Sequence, residues 1–168
     1  MNISAKFICR RFSPRFHAIL PYCDFIFGNE AEAEAYASHN GLGKGLPLEE
    51  IAQKMAQYEK INSKRPRYVI ITQVLQASVR LDTNICIKGP EKTIVATGES
   101  AMTYPVPHVD SLVDTNGAGD AFVAGFLSQL ALNKPISECV QAGHWAAGII
   151  IQNPGCTFPR ELVSPFTH

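Results

Sequence analysis

Apolar residues along the chain follow two different rhythms. Asp24-Phe-Ile-Phe27 is a short apolar run that ends at Gly28-Asn29, and the alanine- and glutamate-rich EAEAEAYASH that follows closes at Asn40-Gly41. Strand, turn and helix is the order this predicts. Leu48, Ile51, Ala52, Met55 and Tyr58 recur at helical spacing and predict an amphipathic helix over 48–61. Arg67-Tyr-Val-Ile-Ile-Thr72 is a continuous β-branched run, the pattern of a strand buried on both faces in a parallel sheet. Strand, helix and strand in succession make a βαβ unit, so the fold class expected is α/β, a layered sheet flanked by helices.

The second half changes rhythm. Thr93 to Thr97 and Met102 to Val106 predict two short strands joined as a hairpin through Gly98-Glu99-Ser100. A turn from Val113 to Asp120 leads into the helical run AFVAGFLSQLAL, which Asn133-Lys-Pro135 stops. ISECVQAGHWAAGIII then predicts a last helix, rich enough in small residues to pack closely on its neighbours. Phe7, Phe12 and Phe16 also recur at helix-like spacing and read as a core face. No repeat, low-complexity tract or linker interrupts the chain, so a single folded unit is the expectation.

Composition narrows the classes. The chain has 168 residues, 46% hydrophobic and 18% charged, the profile of an ordinary globular domain. Lys and Arg total 15 and so do Asp and Glu, so no nucleic-acid partner is advertised, and Lys60 to Arg67 reads as a solvated basic loop. Five cysteines, odd in number, widely spaced and without a C-x-x-C pair, suggest neither a disulfide framework nor a zinc site and fit a reducing compartment. No stretch approaches the roughly 20 apolar residues of a membrane span, so a membrane partner is not expected and a cytoplasmic or nuclear location is. Gly41-Leu-Gly-Lys-Gly45 lacks the spacing of a phosphate-binding P-loop and reads as a surface loop.

Candidate chemistry concentrates in DTNGAGDAF, Asp114 to Phe122. Gly117, Ala118 and Gly119 stand at the start of a helix, where free backbone N–H groups and the positive end of the macrodipole can hold a phosphate or another anion. Asp120 falls in the first turn of that helix, where a base taking a proton from an attacking hydroxyl would stand. A plain tight turn followed by a favourable first-turn acid is the structural alternative. On the same reasoning Glu32 is one glutamate of three on an exposed helix face, His144 a packing residue in an alanine-rich helix, and Cys156 structural.

GAGD preceded by Asp-Thr-Asn resembles the second signature of the ribokinase, or PfkB, family of sugar and nucleoside kinases. DTNGAGDAFVAGFLSQL, FGNEAEAEAYA and AGHWAAGIIIQNPGCTFP resemble the adenosine kinases within it, in the right order. The resemblance implies a ribokinase-like fold and Mg²⁺-dependent transfer of the ATP γ-phosphate to the 5′-hydroxyl of adenosine, giving AMP in purine salvage. It makes Asp120 the base and Gly117, Ala118 and Gly119 an anion hole acting on the transferring phosphoryl group. It places Asn116 toward the nucleoside, and Asn29, Thr72, His144 and Gly89 around the nucleotide. Asn29 and Glu32 match an N-x-x-E motif that organises Mg²⁺ mainly through water. Asp114 and the Asn153-Pro-Gly155 turn resemble loops flanking a monovalent cation, K⁺, in many relatives. ATP and adenosine are the implied partners and a monomer the implied state.

The chain departs from that family in two ways. It resembles only the C-terminal, ATP-binding portion, without the N-terminal half and lid. Poor phosphate transfer by the chain alone and an uncovered strand edge are therefore expected. Between Gln73 and Gly89 the 15 residues Val74 to Lys88 have no counterpart; removing them restores ITQGPEKTIVATG. Their length is a whole number of codons and their ends, Val and Lys, can be encoded by GT… and …AAG, so a retained intron is one reading and a loop insertion the other. A truncated nucleotide-binding relative without activity and another sugar kinase of the family are the competing functions.

Overall fold

A computed structural model describes residues 1–43, 45–73, 92–159 and 161–166. The chain divides into two compact units, Met1–Pro105 and Val106–His168. The absence of a linker had implied one. The boundary falls in the proline-punctuated segment Pro105-Val-Pro107, which carries no glycine- or serine-rich signal.

The first unit opens with two short helices, α1 (Lys6–Arg11) and α2 (Ser13–Ile19), and a 3₁₀ turn at Leu20–Tyr22. Then come β1 (Phe25–Asn29), α3 (Glu30–His39), α4 (Leu48–Ala56), β2 (Tyr68–Thr72), β3 (Lys92–Ala96) and β4 (Ala101–Pro105). The strands lie in the order β1-β2-β3-β4. β1 and β2 are parallel, with Phe25 opposite Tyr68 and Asn29 opposite Thr72. β3 and β4 add antiparallel, as the expected hairpin. Met1 to Ile3 run along the free side of β1, where the Phe27 N–H donates to Met1 O at 2.9 Å and the Ile3 N–H to Phe27 O at 2.8 Å.

One core lies where Ile26, Val69, Ile71 and Ile94 meet Ala33 and Tyr36 of α3 and Ile51, Ala52 and Met55 of α4. Val69, Ile70 and Ile71 are all fully buried, so β2 is covered on both faces, as its unbroken β-branched run implies. Phe16 joins the core at 5% exposure, whereas Phe7 and Phe12, at 55% and 41%, do not. The break between α1 and α2 at Phe12 turns those rings outward, and they meet edge to face with centroids 6.3 Å apart.

Between Lys60 and Arg67, residues 61–66 are exposed, as a solvated loop requires, but Arg67 is not. Arg67 is 2% exposed. Its Nε donates to Cys23 O at 3.1 Å, Nη2 to Leu20 O and Glu59 O, and Nη1 to the carbonyls of Met55, Ala56 and Tyr58. Met55 and Ala56 end α4, so the guanidinium adds donors at the carbonyls of a helix terminus, beside the Tyr58 N–H that reaches Met55 O at 3.4 Å. α4 ends at Ala56, five residues short of the expected end at 61. Lys60 reaches Asp24 at 2.6 Å, leaving Lys64 and Arg65 as the solvated bases.

The second unit consists of α5 (Ala118–Ala131) and α6 (Ile136–Ile151) with their connecting loops. Their approach depends on two glycines. A Cβ at Gly125 would lie 2.4 Å from Ala142 O, and one at Gly143 would lie 2.8 Å from the Phe122 ring.

Two substitutions test these packings. Arg67→Met strands several buried carbonyls and is expected to destabilise the protein by at least ~3 kcal/mol in denaturant unfolding; an unchanged midpoint would refute the staple. Gly143→Ala, which needs displacement of Phe122, is expected to cost about 1–3 kcal/mol.

Candidate functional site

In the first unit the predicted residues gather at the carboxyl ends of β1 and β2, the position where open α/β sheets place their ligands. Asn29 ends β1 and is also the N-cap of α3. Its Oδ1 accepts the Glu32 N–H at 2.9 Å, and the Asn29 N–H donates back to Glu32 Oε2 at 3.0 Å, a complete capping box. A third bond runs from Asn29 Nδ2 to Glu32 Oε1 at 3.1 Å. Glu32 is thus only 6% exposed, unlike the solvent-facing Glu34 of the same helix. Reading it as one of three exposed glutamates fails because its side chain folds back over the helix start. Burial raises its pKa, with the Asn29 bonds and the Lys6 charge acting the other way.

Thr72 stands across the strand pair from Asn29, and its hydroxyl donates to Gly28 O at 3.4 Å. Ile3 completes this corner: a Cβ on Gly28 would lie 2.8 Å from Ile3 Cδ1 and 3.2 Å from Glu32 Oε2. Ile3 was missed in the sequence because a lone apolar residue near the amino terminus has no periodic context. Both Glu32 oxygens are engaged by Asn29, and no cluster of three or more His, Cys, Asp or Glu that could ligate a metal exists among the described residues. That donor set suits a hydrated Mg²⁺ held through water and not a stripped ion. Gly89 and Val74 to Lys88 lie outside the described residues.

In the second unit the turn ahead of α5 brings together Asp114, Asn116 and Gly117 to Asp120. Gly117 is the N-cap with φ 78°, the left-handed conformation that glycine adopts without strain. A side chain there is also excluded, since its Cβ would fall 2.4 Å from Cys156 Sγ. The Ala118 N–H reaches Thr115 O at 3.3 Å and the Ala121 N–H reaches Gly117 O at 2.9 Å. Among the described residues the N–H groups of Gly117, Gly119 and Asp120 have no backbone acceptor. These open donors, exposed at the positive end of a 14-residue helix, suit an anion. Asp120 is exposed in the same first turn.

Asp114 accepts from two backbone amides, Asn116 at 2.9 Å and Gly155 at 3.1 Å, and the first of these bonds is the chief reason its pKa is lowered. The Asn153-Pro-Gly155 turn therefore does meet the Asp114 loop. His144, on α6, stands 5.5 Å from the Phe122 ring, and burial pushes its pKa down to about 4. It is a neutral, ring-packed imidazole at neutral pH, which fits the packing reading and equally the wall of an apolar pocket.

Residues 1–162 match the pfkB family carbohydrate kinases, and the chain belongs to that family. It is 42% identical over 163 residues to Adenosine kinase 1 of Arabidopsis thaliana, which covers 96% of this chain and 43% of that protein. Its fold superposes on Anopheles gambiae adenosine kinase in complex with P1,P4-di(adenosine-5) tetraphosphate with a TM-score of 0.79 and 37% identity. That match covers 95% of this chain and 44% of the other. Schistosoma mansoni adenosine kinase in complex with adenosine and AMP gives a TM-score of 0.73 at 28% identity, over 94% and 42%. The chain thus spans less than half the length of these relatives. Among the described residues no helix is long and apolar enough to cross a membrane.

The state of His144 has a pH signature. An imidazole whose folded pKa lies near 4, against the ordinary value of 6.5, binds its proton more readily unfolded. Its share of stability is complete above about pH 6.5 and is lost as the pH falls toward 4. Melting temperatures measured across that window should decline less steeply in His144→Gln; equal slopes would show that the half-buried imidazole does not govern acid sensitivity.

Proposed function

We propose that the chain forms the ATP-side portion of an adenosine kinase, which transfers the γ-phosphate of ATP to the 5′-hydroxyl of adenosine to give AMP. The observation that carries this reading is the entrance to α5, where an exposed carboxylate stands in the same helical turn as open backbone N–H donors. Asp120 takes the proton of the attacking hydroxyl as its oxygen bonds to the γ-phosphorus, while the bond from that phosphorus to the β,γ-bridging oxygen breaks and ADP leaves. The N–H groups around Gly117 to Gly119 stabilise charge on the phosphoryl oxygens as it develops, a role realised in the transition state. Asn116, in the turn before them, faces the nucleoside, and Thr72 and His144 contact the nucleotide. Mg²⁺, when bound, neutralises phosphate charge, and Asn29 and Glu32 are the residues that would hold its water shell. K⁺ at the Asp114 loop belongs to the same reading.

The adenosine-bound and AMP-bound relative supports the nucleoside over a sugar, although the family name is that of carbohydrate kinases. The share of the relatives' length that the chain spans favours a second reading, a nucleotide-binding protein without transfer activity.

Purified protein titrated with MgATP, then assayed for AMP from adenosine and for ribose phosphorylation, separates these. The kinase reading expects ATP binding and slow but adenosine-dependent AMP formation by this chain, with Asp120→Asn lowering that turnover by on the order of 10²–10⁴-fold and ATP affinity little changed. ATP binding without acceptor-dependent turnover establishes the second reading. Joint loss of binding and turnover in Asp120→Asn would make that residue structural.

A further inference from the structure

We infer that Asp114 is a positioning residue, whose carboxylate clamps the Asp114–Gly117 turn to the loop after α6 and so fixes the aim of the open N–H groups at the start of α5. This rests on the reading of that entrance as a phosphate site. The local part of the clamp is ordinary: Oδ1 accepts the Asn116 N–H two residues on, at 2.9 Å, which is enough to close an Asx-type turn. The second oxygen is not needed for that turn. It accepts the Gly155 N–H at 3.1 Å, from 41 residues further along the chain. A carboxylate can accept both bonds, and charge makes each stronger than its neutral counterpart.

Three further contacts join the same two segments. The N–H groups of Val113 and Asp114 both donate to Ile151 O, at 2.8 and 3.2 Å, at the last residue of α6. The Cys156 thiol donates to Asn116 O at 3.5 Å and fills the space beside Gly117 that a Cβ would need. The turn that opens α5 is thus seated on the end of α6, and among the described residues Asp114 is the one side chain of that turn bonded to both segments. An asparagine there retains an oxygen for Asn116 but turns an NH₂ donor toward the Gly155 N–H. Asp114→Asn therefore severs the cross-link and keeps the local turn.

The full chain is tested with MgATP as the probe and with 5,5′-dithiobis(2-nitrobenzoic acid) as a reporter on Cys156, assigned by the loss of its signal in Cys156→Ser. Asp114→Asn should weaken ATP binding about tenfold and speed the Cys156 reaction about tenfold, while still melting in one cooperative transition. Unchanged ATP affinity in a folded Asp114→Asn protein overturns the positioning role, whatever the thiol does. In the unaltered chain the Asn116 and Gly155 amides should exchange hydrogen at least tenfold more slowly than unstructured amides. Fast exchange at Gly155 overturns the clamp even if the variant fails to fold. If the unaltered chain binds no ATP, the phosphate reading and the positioning role fall together, while a clamp still seen in the exchange and thiol rates survives as a structural brace.

Discussion

Arg67 sits in the first unit as a buried cation whose contacts are carbonyl oxygens. Six of them, from the 3₁₀ turn and Cys23 just after it, the end of α4 and the loop that follows α4, converge on one guanidinium at the entrance to β2. Buried carbonyls without donors are costly, and a planar fork of five N–H groups is the side chain able to satisfy many at once. Burial pulls the Arg67 pKa down, but a guanidinium starts high enough to remain charged. The start of β2, the end of α4 and the approach to β1 are thereby set together. Through β1 and β2 the same anchor sets the opposite, carboxyl end of the sheet, where Asn29, Glu32 and Thr72 meet.

The two units solve the same problem at their candidate sites in different ways. A helix that begins beside a ligand must leave some N–H groups open while preventing the turn from unravelling. At α3 a capping box is present: Asn29 and Glu32 satisfy each other, and the pair offers a buried carboxylate of raised pKa to a ligand. At α5 the cap is absent. Gly117 takes a left-handed conformation, no side chain caps the helix, and the turn is held by its own Asp114, which bonds to the loop following α6. Taken separately, the first arrangement suits a hydrated cation and the second an anion.

Legibility in the sequence followed the range of the interactions. α3, α6 and the β3–β4 hairpin were readable almost to the residue, because capping residues, prolines and glycines that end them are neighbours in the chain. The Asp114–Asp120 segment was readable as a turn into a helix for the same reason. α4 was overextended because Tyr58 continues the apolar period by coincidence; it is partly exposed against the His17 ring, 5.1 Å away. Phe7 and Phe12 misled in the same manner, since periodicity reports a shared face and not whether anything covers it.

By itself the sequence determined the alternation of strands and helices, the parallel pairing implied by a βαβ order, and the glycine-rich helix start that marks the candidate chemistry. These depend on backbone propensity, hydrophobic period and turn residues, all local quantities. Tertiary structure alone decided which charged groups lie buried. Arg67 looks like one more base in a basic stretch, Glu32 like one of three similar glutamates, and Asp114 like a turn former. Each acquires its role from carbonyls, amides or methyl groups that folding brings to it. Desolvation and hydrogen bonding act through distance in space, and for Arg67 and Asp114 the deciding partners lie as far as 47 and 41 residues away along the chain.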